Sequence, residues 1–475
     1  MKHLTQHGFS LIAIAVILSA LLFEGCSNEQ ERSSKPNVVI VFLDDLGYGD
    51  FSSYGHPTIN TPVIDRLARE GQRWTSFYTA ASVCTPSRGA LMTGRLPVRN
   101  GLAGERSSHG VFFPYSTGGI PQSEITIAEI LKEEGYKTAA IGKWHLGHLP
   151  KYLPTRHGFD SYFGIPFSND MDAVAEWSLA TVLTPPHPEY WDIPLMRDEE
   201  TIERPVNQRT ITQRYTEEAV KFISANRKNP FFLYLAHTMP HTPLFAGEKF
   251  IGTSKRGLYG DVVNEIDWSV GEIISTIEEL GLDEKTLFVL TSDNGPWLSM
   301  LENGGSAGLL REGKGTTWEG GMRVPAIFWW PGVISSKVVS DIGSTLDILP
   351  TVAGFVGADL PSDHILDGYD LGPILLGRQP SPRKGMYFYR RQELYAVRKG
   401  PFKAHFVTSD AFANDAVREE HDPPLLFNLE HDPSERYNVA KQHPEVIEEI
   451  WAMVLEHRTK IKIVESEVAK YPKQL

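Results

Sequence analysis

Cys84 begins the stretch Cys84-Thr85-Pro86-Ser87-Arg88, in which a thiol, a turn-forming Pro-Ser pair and a guanidinium precede a helix-like run to Arg95. With Thr85 or Ser87 as its cap, that helix would direct free N–H groups and a positive dipole end at the thiol. The result is an anion site holding a nucleophile; a buried thiol beside a turn is the plainer alternative. Two pairs of oxygen donors stand where apolar runs stop: Asp44-Asp45 after Asn37–Leu43, and Asp293-Asn294 after Thr286–Ser292. Neighbouring strand residues point to opposite faces. Asp44 and Asp45 therefore reach one point only if the chain turns there, which Gly47 and Gly49 allow. Carboxylates at buried strand ends repel and are costly to desolvate, and a divalent cation relieves both problems. Solvated acidic caps of a following helix are the alternative. Asp44, Asp45, Asp293 and Asn294 offer only oxygen, which favours Ca²⁺ or Mg²⁺ over zinc. Lys143 and His145 share a face if the chain stays extended, pairing an ammonium with an imidazole for anion binding and proton transfer. His237 and His241 lie in a proline-stiffened loop, and Lys314 in a glycine-lined loop whose spacing excludes a Walker phosphate site.

The apolar runs at Asn37–Leu43, Thr138–Gly142, Pro230–Ala236, Thr286–Ser292 and Val324–Trp330 read as strands buried on both faces. Amphipathic helices are expected over Thr61–Gly71, Ile125–Gly135, Tyr215–Asn226 and Tyr259–Gly281, and another begins near Asp347. Together they predict an α/β fold: a large, mostly parallel sheet between helices, with its chemistry at the carboxyl ends of the strands. Residues 159–208 read as irregular loops around a site mouth. Beyond about residue 380, short alternating runs predict a small antiparallel sheet and a final helix from Pro444 to about Lys462. His405 falls on one of these strands, where a plain strand histidine is the simpler reading.

Cys84-Thr85-Pro86-Ser87-Arg88 with Leu91-Met92-Thr93-Gly94-Arg95, and Gly142-Lys143-Trp144-His145-Leu146-Gly147, resemble the two signatures of the type I, formylglycine-dependent sulfatases. The similarity runs from Pro36 to about Asn438 and points to the branch holding arylsulfatase A and N-acetylgalactosamine-6-sulfatase. It implies an alkaline-phosphatase-like sulfatase fold. It also implies a Cys84 oxidised by a separate maturation enzyme to Cα-formylglycine, whose hydrate attacks sulfur beside Ca²⁺ held by Asp44, Asp45, Asp293, Asn294 and residue 84. On the same ground Arg88, Lys143 and Lys314 hold the sulfate, and His241 with Lys314 serves the departing alcohol. His145 then takes the proton that lets sulfate leave. Ser168, in Gly164–Asp170, matches a segment whose serine approaches the sulfate. The implied substrate is a sulfated small molecule or glycan. A phosphodiesterase or phosphonate monoester hydrolase, and a non-catalytic binder of sulfated glycans, are the rivals.

In 475 residues, Lys+Arg 46 against Asp+Glu 59 gives a net charge of −13, which disfavours nucleic-acid binding. Lys2 and the apolar segment from Phe9 to Phe23 have the layout of a secretory signal, ending in Gly25-Cys26, a lipidation point of bacterial lipoprotein type. Export to the periplasm or cell surface with Cys26 acylated is the expectation, and membrane contact through that anchor alone. The division expected is 1–25 signal, 26–35 tether, 36–380 catalytic domain and 381–475 small α+β domain.

Overall fold

A strand whose residues are apolar on both faces must be covered twice, and Asn37–Leu43 (β1) is buried along its whole length. Val39, Val41 and Leu43 enter one apolar core while Val38, Ile40 and Phe42 enter another. The structure is a computed structural model describing residues 35–105, 110–174, 178–183, 187–411 and 418–472. The signal-like segment, Cys26 and nearly all of the tether fall outside the described residues.

Within them, the main sheet continues with Gln72–Tyr78 (β2), Lys137–Gly142 (β3), Ser161–Gly164 (β4), Leu195–Arg197 (β5) and Glu200–Glu203 (β6). Phe231–Ala236 (β7), Thr286–Ser292 (β8), Arg323–Trp329 (β9) and Lys337–Ser344 (β10) complete it, in the order β10-β2-β9-β8-β1-β7-β3-β4-β5-β6. Only β9 and β5 run against the rest. Leu258–Glu279 and Ile211–Ala225 cover one face, Ile127–Glu133 and Ile348–Val356 the other. Phe42 pairs with Thr291 and Ala236, and Ala236 with Gly142, so β8, β1, β7 and β3 end level. Their carboxyl ends deliver Asp293, Asp44, His237 and Lys143 to one edge.

A separate antiparallel sheet holds Gly385–Arg390 (β11), Glu393–Lys399 (β12), Phe402–Thr408 (β13) and Glu419–Asn428 (β14) in chain order. Ile450 and Val454 of the Pro444–Lys460 helix pack on Val397, Ala404 and Leu426.

Three readings are corrected. Residues 159–208 are not wholly irregular, since β4, β5 and β6 extend the sheet there; they are short, and exposed charges such as Glu200 erase any alternation. β2 and β10 were not expected either: Gln72 and Arg73 open β2, and Val338 of the edge strand β10 faces solvent. The helix expected over Ile125–Gly135 starts at Ile127, because Thr126 and Glu129 form a reciprocal capping box.

Candidate active site

After β1 the chain turns at Asp45 itself, whose φ is +62°. That corrects the role expected of Gly47 and Gly49. These glycines permit close approach instead: a Cβ on Gly47 would stand 2.2 Å from the Ser306 carbonyl, and Gly49 N–H donates to that carbonyl at 2.9 Å. Asp50 fixes the turn from below, its Oδ2 accepting from Gly47 N–H at 2.7 Å and from the Tyr259 hydroxyl at 2.6 Å. Burial nonetheless pushes Asp50 up from 3.8 to about 7, and its Oδ1 has no partner. Because the folded-state value is raised, the native state holds a proton that the unfolded chain has lost. Stability is therefore intact below pH 3.8 and declines as pH climbs through about 7. Asp50→Asn keeps an acceptor for both donors and cannot ionise. It is expected to stabilise the fold by up to roughly 4 kcal/mol at about pH 8 and by little near pH 4. Urea unfolding at both pH values checks this; an equal effect at the two would refute the ionisation account.

Cys84 begins the Cys84–Thr93 helix after Val83, which makes no side-chain cap. Neither Thr85 nor Ser87 caps it, contrary to expectation, because both lie inside the first turn. Thr85 Oγ1 instead donates to the His145 carbonyl at 2.9 Å and accepts from Phe112 N–H, while Ser87 Oγ is buried without a partner. Cys84 is buried, with Sγ 3.6 Å from Asp44 Oδ1. One helical turn on, Arg88 Nη2 reaches Asp293 Oδ2 at 2.7 Å and Asp44 Oδ1 at 3.4 Å. Burial pushes the Cys84 thiol far above its usual range despite Lys143 and Lys314, so the protein's own charges leave it protonated.

Lys143 Nζ lies 2.6 Å from Asp44 Oδ2 and 3.0 Å from Ser168 Oγ. The chain does not stay extended to His145, whose φ is +59°. Its Nε2 faces the Phe112 carbonyl at 2.8 Å, which can only accept, so Nε2 carries the proton. Nδ1 is then a bare acceptor, buried and unpartnered. Burial and the Lys143 charge hold this imidazole well below its usual pKa. His241 Nδ1 faces two acceptors, the Thr242 carbonyl at 2.6 Å and Asn169 Oδ1 at 3.1 Å. Its Nε2 therefore points without a proton at Ser168 Oγ and Asp45 Oδ2, each 3.5 Å away. Burial and Lys314 keep it neutral.

Lys314 Nζ is 2.7 Å from Asp45 Oδ2, and Lys314 N–H is held by the Pro296 carbonyl at 2.9 Å. The structure therefore brings together Asp44, Asp45, Cys84, Arg88, Lys143, Ser168, His241, Asp293 and Lys314, with Asn294 on Asp45 and His145 behind Thr85. It leaves out His237, whose Nε2 lies on Ser269 Oγ, and His405, whose Nε2 lies on Glu435 Oε1. Two residues were missed. Trp297 places its ring 5.3 Å from that of His241 and 4.4 Å from Lys314 Nζ. Asp170, raised by burial, sits in the field of Lys314 and Lys143. A tryptophan directly after Asp293-Asn294-Gly295-Pro296, and an acid two residues past Ser168, were the available signals.

Asp44, Asp45 and the Asn294 amide oxygen are donors that a hard divalent cation takes, but the cluster of ligand atoms also brings in a thiol and an imidazole and does not include Asp293. Asp44, Asp45, Cys84 and His241 each offer a ligand atom within 4.8 Å of the others. Asn294 Nδ2 donates to Asp45 Oδ1 at 2.7 Å, while Asn294 Oδ1 is buried with nothing to accept from. Burial alone would raise Asp44, but the charges of Lys143, Arg88 and Lys314 hold it well below the carboxylate range. Asp45 and Asp293 stay raised, burial outweighing their cationic partners, with Asp293 at about 7. Three carboxylates (Asp44, Asp45, Asp293) thus face three side-chain cations (Arg88, Lys143, Lys314). With all three carboxylates ionised those charges balance, so an added divalent ion would make the pocket attractive to an anion.

The sequence model of the sulfatase family matches residues 36–358, and that of the C-terminal region of aryl-sulfatase matches residues 381–474. Arylsulfatase A of Homo sapiens is 43% identical over 440 residues, spanning 87% of this chain and 86% of that protein. N-acetylgalactosamine-6-sulfatase of Canis lupus familiaris is 40% identical over 462 residues, spanning 89% and 86%. Among solved structures, the PsFucS1 sulfatase from Pseudoalteromonas sp. aligns with a TM-score of 0.79 at 31% identity, covering 95% of this chain and 94% of that one.

Proposed function

The chain belongs to the sulfatase family, whose enzymes hydrolyse sulfuric esters, and we propose that it acts on sulfated saccharides outside the cytoplasm, using formylglycine made from Cys84 and a bound Ca²⁺. The observation that carries this reading is the cage itself. A cysteine at a helix start lies among three cations and four oxygen-donor side chains at the ends of adjacent strands. Ca²⁺ in that cage supplies Lewis-acid polarisation of sulfate oxygens, and the formylglycine hydrate supplies the nucleophilic hydroxyl.

The remaining roles belong to side chains already in place. Arg88, Lys143, Lys314 and Ser168 bind the sulfate oxygens and neutralise charge as it develops. His145, neutral and with Nδ1 bare, accepts the proton whose loss releases sulfate. His241 has no proton on Nε2 in the resting charge state, so Lys314 is the ready donor to the departing alcohol. An arriving anion raises His241's affinity for a second proton and lets it share that task. Asp293, raised to about 7 by burial and Asp44, assists deprotonation of the nucleophile.

We assign residues 36–380 to the catalytic domain and 381–475 to a small α+β domain. Among the described residues no helix is long and apolar enough to cross a membrane, and anchoring is assigned to Cys26.

Peptide mass analysis of residue 84 together with turnover of aryl sulfate and aryl phosphate esters tests the reading. An aldehyde at position 84 and faster cleavage of the sulfate ester are expected; full sulfatase turnover with an intact thiol would overturn it. Chelation should lower the rate at least about 10²-fold, with Ca²⁺ restoring it better than Mg²⁺. Undiminished activity after exhaustive chelation would remove the cation from the account.

A further inference from the structure

Lys314 stands on a loop that is gripped from outside the catalytic sheet. Lys403, wholly buried on β13, donates through Nζ to the Thr317 carbonyl at 2.8 Å and to Glu319 Oε1 at 2.9 Å. Glu435, equally buried before the C-terminal helix, accepts the Glu319 backbone N–H on Oε2 at 2.7 Å. Its Oε1 lies 3.2 Å from Lys403 Nζ and 2.7 Å from His405 Nε2. Between these anchors Trp318 lies against His405, with ring centroids 4.2 Å apart, and the Arg311 guanidinium is 3.7 Å from its ring centre. Arg311 also donates to the Glu435 carbonyl at 2.9 Å. The peptide groups on both sides of Trp318 are therefore held, one by its oxygen and one by its nitrogen.

Such a cluster is an expensive adhesive. Buried ions lose hydration that pairing only partly returns, and apolar side chains of similar volume would hold two surfaces together as well or better. Directional ionic bonds add register, which apolar contact does not. Glu319 is kept ionised for that purpose: burial would raise it, but Lys403, Arg323 and Arg398 hold it at about 2. The register at stake is close by. Gly315 N–H donates to the Ser82 carbonyl at 2.8 Å, two residues before Cys84, and Lys314 Nζ lies 2.7 Å from Asp45.

We infer that Lys403 and Glu435 are positioning residues for Lys314, so that the C-terminal sheet sets how tightly the catalytic site holds sulfate. The inference rests on the proposed sulfate-binding role of Lys314. A double-mutant cycle on the full, matured chain tests it, using Lys314→Ala, Lys403→Met and both together. Inhibition by inorganic sulfate and kcat/KM on an aryl sulfate are the readouts. Lys403→Met is expected to weaken sulfate inhibition about tenfold in the parent but less than about twofold when Lys314 is already alanine. A merely structural role would weaken both backgrounds alike, and that result, or no weakening in the parent, overturns the inference. If Lys403→Met does not fold, Glu435→Gln replaces it, since the glutamine oxygen still accepts from Glu319 N–H. Lys314→Ala with unaltered sulfate affinity would instead overturn the sulfate-binding role of Lys314, and the inference with it.

Discussion

Cys84→Ala is expected to yield a folded protein that releases sulfate at least about 10⁴-fold more slowly than the parent. The two halves of this expectation have separate causes. The thiol is buried and its one hydrogen-bond contact is long, 3.6 Å to Asp44 Oδ1, so its removal costs about 1 kcal/mol, mostly of packing. Arg88, Lys143 and Lys314 remain to compensate Asp44, Asp45 and Asp293, and the cage keeps its charge balance. The chemistry has no such reserve. Among the described residues, Thr85 is the hydroxyl nearest along the helix, and it is engaged by the His145 carbonyl and Phe112 N–H, while Ser87 Oγ is buried without a partner. Cys84→Ser sharpens the test. A single hydroxyl can accept SO₃ but has no second hydroxyl from which to expel sulfate, so about one equivalent of alcohol per protein and no sustained turnover is expected. Thermal unfolding together with aryl sulfate turnover checks both variants. Parent-like turnover by Cys84→Ala, or sustained turnover by Cys84→Ser, would refute the role given to residue 84.

Much of this site could be read from where apolar runs end. β8, β1, β7 and β3 are recognisable because their residues are apolar on both faces, and three of them stop at a site residue, Asp293, Asp44 and Lys143, while His237 after β7 turns to Ser269 instead. Parallel pairing then makes convergence unavoidable. Ser168 carries no such local signal, and only the family resemblance singled it out; Lys314 had its glycine-lined loop, and its role came from the resemblance. What stayed hidden depends on tertiary constraint. Nothing in Asp44-Asp45 or Trp144-His145 announces that Asp45 and His145 adopt φ of +62° and +59°. Non-glycine residues enter that region only when their surroundings compel it, and active sites are where this happens. Proton placement is equally invisible in sequence: His145 is a base at Nδ1 because the carbonyl of Phe112, remote in the chain, occupies Nε2. The short strands β5 and β6 at one end of the sheet were lost because three or four residues, partly charged, cannot show a period.

Arg88→Met is expected to damage the fold as well as activity. The guanidinium is fully buried, donates to Asp293 Oδ2 at 2.7 Å, lies 3.4 Å from Asp44 Oδ1 and donates to the Lys143 carbonyl at 3.1 Å. Methionine fills much of its volume but leaves two buried carboxylates with one cation fewer, a loss of about 3–5 kcal/mol. The sign with pH follows from Asp293. Burial and Asp44 raise it from 3.8 to about 7 even with Arg88 present, and removing Arg88 raises it further. A raised folded-state value means stability is intact below pH 3.8 and is lost as pH rises through the folded value. The deficit of Arg88→Met against the parent should thus be smallest near pH 5 and largest above about pH 8, in protein freed of divalent ions. Urea unfolding across that range measures it, and a deficit independent of pH would show that Arg88 acts through packing alone. Arg88→Lys separates charge from shape. It returns a cation to Asp293 and recovers part of the stability, yet one ammonium cannot span Asp293, Asp44 and the Lys143 carbonyl as a planar guanidinium does. Activity should therefore stay low where stability recovers, because sulfate must meet a cation whose direction the helix from Cys84 has fixed.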